Sequence, residues 1–90
     1  MKTNKIYKYY LTRYIEKYID YINTKKTDEN YKIVKENYYQ AFEKVDDFIS
    51  FYALETIDNA IRLLNEQKAN SLLIEIKVKE ILKILNVEVL

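Results

Sequence analysis

Few side chains in this chain can do covalent chemistry. Its 90 residues include no histidine, no cysteine and no glycine. The commonest general base, the strongest nucleophile and any glycine-rich phosphate loop are therefore missing. The two serines, Ser50 and Ser71, stand where helix caps are expected. The main carboxylate grouping is Glu43, Asp46 and Asp47, with Glu55 and Asp58 close behind. Bundle di-metal sites combine inward glutamates with Glu-x-x-His pairs, and the histidine is lacking. The cluster reads as a solvated acidic face. No enzyme activity, metal or cofactor is expected.

What remains is recognition by charge and by apolar surface. Residues 1–26 carry seven basic and two acidic side chains, a local charge of +5, whereas residues 27–67 carry four basic and nine acidic, a charge of −5. Residues 68–90 come to +1. Lys2, Lys5, Arg13 and Lys17 fall opposite the apolar stripe of the first segment, with Tyr9 among them. A ring between cations suits a base-stacking platform, so nucleic acid is one candidate partner. Against it, Glu16 and Asp20 interrupt the same face, and lysine outnumbers arginine, the better phosphate and base reader, by 13 to 2. The plainer account is internal: a basic first helix docks on an acidic second one, with opposite charges along the seam.

The other candidates are apolar residues that miss their stripes. Ile33, Tyr39 and Phe51 point away from the main face of the second segment, and Leu54 and Leu63 sit at the edges of the next. Either they pack on further helices of the chain, or they form a partner groove or homodimer interface anchored by aromatic side chains.

The elements that carry these residues are read from periodicity and caps, because proline and glycine are both absent. From about 4 to 23, Tyr7, Leu11, Tyr14, Tyr18 and Tyr21 alternate spacings of four and three, flanked by Ile15 and Ile22. That is an amphipathic helix with a broad apolar stripe. Of the tyrosines in this segment, Tyr7, Tyr14, Tyr18 and Tyr21 read as core, Tyr10 as edge and Tyr9 as outward-facing. Asn23 can end the helix in the left-handed conformation, Thr27 can cap the next, and Asp28 and Glu29 would fall in its first turn. Tyr31, Val34, Tyr38, Ala41, Val45, Phe48 and Tyr52 hold a strict three-four alternation, with Phe42 and Ile49 beside it. Beyond Tyr52, Ala53, Ile57, Ala60, Ile61 and Leu64 form a rotated stripe. Either the helix breaks near 46–50, or one long helix runs from 28 to 66. The segment "IEIKVK" alternates like a strand, but Ile74, Val78, Ile81, Leu82, Leu85 and Val89 fit a helical face. Asn70 or Ser71 can cap it, and Glu75 and Lys79 are placed for an i to i+4 ion pair. A lone strand would have no ladder to join, so helix is the better reading.

The expectation is an all-α fold, a small antiparallel bundle of three or four amphipathic helices at about 4–23, 28–48, 50–67 and 71–86, in a single domain spanning 1–90. Bundles of this size have a thin stability margin, which favours self-association. The expected function is a non-catalytic protein-interaction module, homodimeric, that acts by occupying the surface of a protein partner. The alternative is a nucleic-acid-binding protein using the basic face of the first helix. No membrane partner is expected: the longest apolar run, Phe51–Tyr52–Ala53–Leu54, is only four residues, and Leu72–Leu73–Ile74 is three; the start lacks a signal-peptide pattern, and a cytoplasmic location follows by default. Ile, Lys, Asn and Tyr supply 43 of the 90 residues. Their codons are AT-rich, which points to an AT-rich genome and to the small helical regulators and inhibitors of phage and plasmid accessory genes. Part of the tyrosine excess is then codon bias.

Overall fold

A computed structural model describes residues 2–47, 49 and 51–84, with side chains for 5–47, 49 and 53–83. Four helices occur among the described residues: α1 (Lys2–Asn23), α2 (Tyr31–Asp46), α3 (Phe51–Glu66) and α4 (Ser71–Ile84). The fold is all-α, a small helical bundle with principal extents of 41 × 26 × 23 Å. No described helix is long and apolar enough to cross a membrane. The chain breaks between Asp46 and Phe51 and does not run as one helix from 28 to 66. The "IEIKVK" segment is helical.

Cross-helix contacts give the topology. Tyr21 meets Tyr31 and Tyr38, while Tyr14 meets Tyr38 and Phe42, so α2 runs antiparallel to α1. Tyr14 bonds Asp58 and Asn23 bonds Asn65, so α3 runs parallel to α1. Lys8 pairs with Glu75, and residues further along α1 approach Ala69, so α4 is antiparallel again. This is an up-down-up-down order, but the packing is uneven. Helix α1 touches all three others and α3 touches α4, whereas α2 packs on α1 and has only marginal contact with the rest.

The core follows the sequence stripes. Leu11, Tyr14 and Ile15 of α1, Ala41 and Val45 of α2, Ile49, then Leu54, Ile57, Ile61 and Leu64 of α3 and Ile74, Val78, Ile81 and Leu82 of α4 form one buried cluster. Tyr7, Tyr10 and Tyr18 pack half-buried against it. Ile22 does not join them: it is exposed in the last turn of α1. Phe48 and the side chain of Tyr52, with Leu85 and Val89, lie outside the described residues.

The connections differ from the expected caps. Asn23 is not left-handed; its side-chain amide donates instead to Asn65 Oδ1 at 2.8 Å. Thr27 does not cap α2. Helix α2 begins after Asn30, and a turn before it is held by Asp28, whose Oδ1 accepts the Asn30 N–H at 2.8 Å. Asp28 and Glu29 therefore precede the helix rather than sit in its first turn. The start of α4 is as expected: Asn70 Oδ1 accepts the Leu73 N–H at 3.0 Å. The sharpest turn falls after α3. Lys68 has φ 52°, its N–H donates to the Asn65 carbonyl, and the Ala69 N–H donates to the Leu64 carbonyl. That is a Schellman ending with lysine in the place usually taken by glycine, and Ala69 packs back on the core. A Cβ in the left-handed region costs about 1–2 kcal/mol. Lys68→Gly is expected to raise stability by about 0.5–1 kcal/mol, since the gain is partly offset by a freer unfolded chain. Urea unfolding of the two proteins measures it.

Candidate functional site

The α1–α2 seam is built from rings. Tyr38 stacks on Tyr21 at 4.8 Å and 5°, meets Tyr18 edge-on at 5.0 Å, and lies over Tyr14 at 5.9 Å. These are preferred offset and T-shaped geometries. Among the described residues no ion pair crosses this seam, which corrects the expected charge-matched docking of α1 on α2. The ion pair that reaches between helices joins α1 to α4, Lys8 Nζ to Glu75 Oε1 at 3.1 Å. Lys79 stands 3.8 Å from the same carboxylate, so the expected i to i+4 pair is present.

Three surface features could bind something. The first is a groove of about 420 Å³ between α1 and α4. It collects Tyr9, Arg13 and Lys17 from the expected basic face, and Tyr9 is 60% exposed. Glu16 and Asp20 line the same groove, so its cations are matched by carboxylates. Lys5 is exposed near the start of the helix, and the side chain of Lys2 lies outside the described residues.

The second feature is apolar. Of the five candidate contact residues, Leu54 is only 9% exposed and belongs to the core, because the rotated stripe of α3 turns it inward. The side chain of Phe51 lies outside the described residues. Ile33 and Tyr39 are exposed but fall about a third of a turn apart on α2, so they do not form one patch. Tyr39 rests against Tyr38 and under Lys35. Leu63 is exposed near the end of α3. Three further exposed apolar residues, on α4, were not singled out in the sequence. Leu63, Leu72, Leu73 and Ile76 are 48%, 63%, 45% and 46% exposed. Leu72 and Leu73 are four and three residues before Ile76, the spacing of side-chain neighbours on a helix. The signal was present in "SLLIEI", whose apolar residues exceed what one buried face can take.

The third feature is the cleft of about 460 Å³ where α2 and α3 stand apart. Its floor holds Tyr14, Tyr38 and Phe42, and its rim holds Asp46, Glu55 and Asp58 with Arg62. The Tyr14 hydroxyl donates to Asp58 Oδ1 at 2.8 Å. Burial, and then that bond to Asp58, push the Tyr14 phenol far above its ordinary value of 10.0. Burial also raises Tyr38. Burial raises Asp58 above 3.8, with the Tyr14 hydroxyl and nearby Arg62 acting in the opposite direction. Glu75 on the other flank moves down from 4.5, through its hydrogen bond and charge attraction to Lys8.

The class defined by this geometry is a four-helix up-down-up-down protein whose α2–α3 seam is open. No family model, no curated protein and no solved structure matches the chain.

Two outcomes follow from the Tyr14–Asp58 bond and its counterpart on α4. Tyr14→Phe keeps the ring but leaves a half-buried carboxylate without its donor, and is expected to cost about 1–3 kcal/mol in thermal or urea unfolding. The two carboxylates also set opposite pH dependences. The Asp58 contribution is fully present below 3.8 and is lost as pH rises through its raised folded value. The Glu75 contribution is present above 4.5 and is lost as pH falls through its lowered folded value. In acid titrations of stability, wild type should therefore gain on Asp58→Asn and lose ground to Glu75→Gln as pH falls.

Proposed function

We propose that this chain is a non-catalytic protein-binding module that docks through the outer face of the α3–α4 hairpin and uses the same face to pair with a second copy of itself. The observation that carries the reading is the exposure of Leu72, Leu73 and Ile76 at neighbouring positions of α4, together with Leu63 on α3, large apolar side chains about half exposed on a helix pair whose opposite face is buried. Contiguous exposed apolar residues of this kind mark interaction surfaces. A second copy is the occupant favoured by size, since a chain of this length has a thin stability margin that burial of this face would widen. The charged residues that flank the patch, Lys79, Glu80 and Lys83, suit the polar rim that surrounds such interfaces. The composition fits a regulator or inhibitor from the accessory genes of an AT-rich genome, acting inside the cell by covering a partner's surface.

Light scattering on a sizing column tests this. The wild type should rise above its monomer mass of 10.9 kDa with increasing concentration. The Leu72→Glu/Ile76→Glu variant, altered only at exposed positions, should stay monomeric with unchanged helicity. A wild type that holds the monomer mass at high micromolar concentration, and binds no more apolar dye than the variant, defeats the reading.

A second reading rests on Tyr9, an exposed ring beside Lys5, Arg13 and Lys17, and makes nucleic acid the partner. Glu16 and Asp20 in the same groove weigh against it. It requires a mobility shift of DNA or RNA at low salt that weakens steeply as salt rises and disappears in Lys5→Glu/Arg13→Glu/Lys17→Glu.

A further inference from the structure

The cleft between α2 and α3 has a lining that the α3–α4 docking face does not explain. Tyr38 lies over Tyr14 at an interplanar angle of 24°, and the Phe42 ring is 6.1 Å from Tyr14, so packed rings line the inner side of the cleft. Around it stand Asp46 from α2 and Glu55 and Asp58 from α3, opposed by Arg62 alone, which leaves two negative charges unmatched at this site. Carboxylates scattered on a helix surface would be solvated and without consequence. Here they rim a cavity of about 460 Å³, within the range that holds small organic groups. Among the described residues, no three carboxylates converge closely enough to hold a metal ion. A cation suited to this lining would be larger than a metal ion. Asp58 Oδ1 accepts from the Tyr14 hydroxyl.

We propose that this cleft takes an arginine side chain from a partner protein, its guanidinium set against the Phe42 ring and its N–H groups donating to Asp58 and to Glu55 or Asp46. Arginine is favoured over a compact ammonium because it is flat, weakly hydrated and forked. It can stack on rings and reach more than one carboxylate at once. The cleft supplies both halves of that recognition, and charge complementarity selects the occupant. The proposal deepens the protein-binding reading by giving the partner a defined chemistry, but it concerns a different flank of α3 from the α3–α4 face.

The test is an NMR titration of the isotope-labelled protein with the capped peptide Gly-Arg-Gly. A peptide carrying citrulline serves as the uncharged control of the same shape, and free arginine as the small-molecule control. The arginine peptide should shift the ring signals of Tyr14, Tyr38 and Phe42 and the carboxyl signal of Asp58, with at least about ten-fold tighter binding than the citrulline peptide. Asp58→Asn, whose amide oxygen still accepts from Tyr14, and Glu55→Gln, at an exposed position, should each weaken binding about ten-fold. The absence of cleft shifts at millimolar peptide overturns the proposal, as does equal binding of citrulline or insensitivity to both variants. Tighter binding of free arginine than of the peptide would make the site one for a small molecule and also overturn it. Leu72→Glu/Ile76→Glu should leave the titration unchanged, so failure of the cleft and failure of the α3–α4 reading are read separately.

Discussion

Tyr14 is the residue on which three helices depend. Its ring lies against Tyr18, Tyr38 and Phe42, which ties α1 to α2, and its hydroxyl bonds Asp58, which ties α1 to α3. A buried phenol needs an acceptor, because an unpaired hydroxyl away from water carries its full desolvation cost. The position of Asp58 is thereby constrained, and with it the rotation of α3. Once Asp58 faces Tyr14, Ile57, Ile61 and Leu64 turn toward the core as a consequence of helical spacing. A leucine at position 14 could fill similar space but would leave this rotation unspecified.

The open α2–α3 seam has an electrostatic cause as well as a steric one. The segment with a charge of −5 corresponds to α2, α3 and the chain flanking them, and Asp46, Glu55 and Asp58 are carried on the facing sides. Bringing these sides into contact would desolvate like charges at short range, which is unfavourable at any protein dielectric. Bulky rings on the floor hold the two helices apart at the same place. The bundle therefore closes around α1 and leaves one side unfilled. Helix α2 is itself neutral, with Lys32, Lys35 and Lys44 balancing Glu36, Glu43 and Asp46, so the negative charge at the seam is local to Asp46, Glu55 and Asp58.

Much of the architecture was legible because helix stripes depend on spacing alone. The positions of Leu11, Tyr14 and Ile15, of Ala41 and Val45, and of Ile57, Ile61 and Leu64 needed only a period of 3.6 residues to be assigned inward. Ends and surfaces were harder. Asn23, Thr27 and Lys68 all lie in glycine-free turns, where several residues can serve and tertiary contacts decide among them. Lysine in the left-handed region carries no sequence signature. Leu54 was misplaced because the stripe of α3 is rotated relative to that of α2, and a residue at an edge in one frame is central in the other. Leu72, Leu73 and Ile76 were hidden in an apolar run that hides its own periodicity. The cleft could not be read at all, since it joins residues from α1, α2 and α3 across a gap that only the packing creates.

Helix α2 has one main line of attachment, the ring seam to α1. That seam is the most extensive helix–helix contact among the described residues, and it carries the buried Ala41 and Val45 as well as the rings. The bundle is therefore built unevenly: an α1–α2 pair joined through stacked rings, with α3 and α4 added to α1 through less extensive and mostly aliphatic contacts.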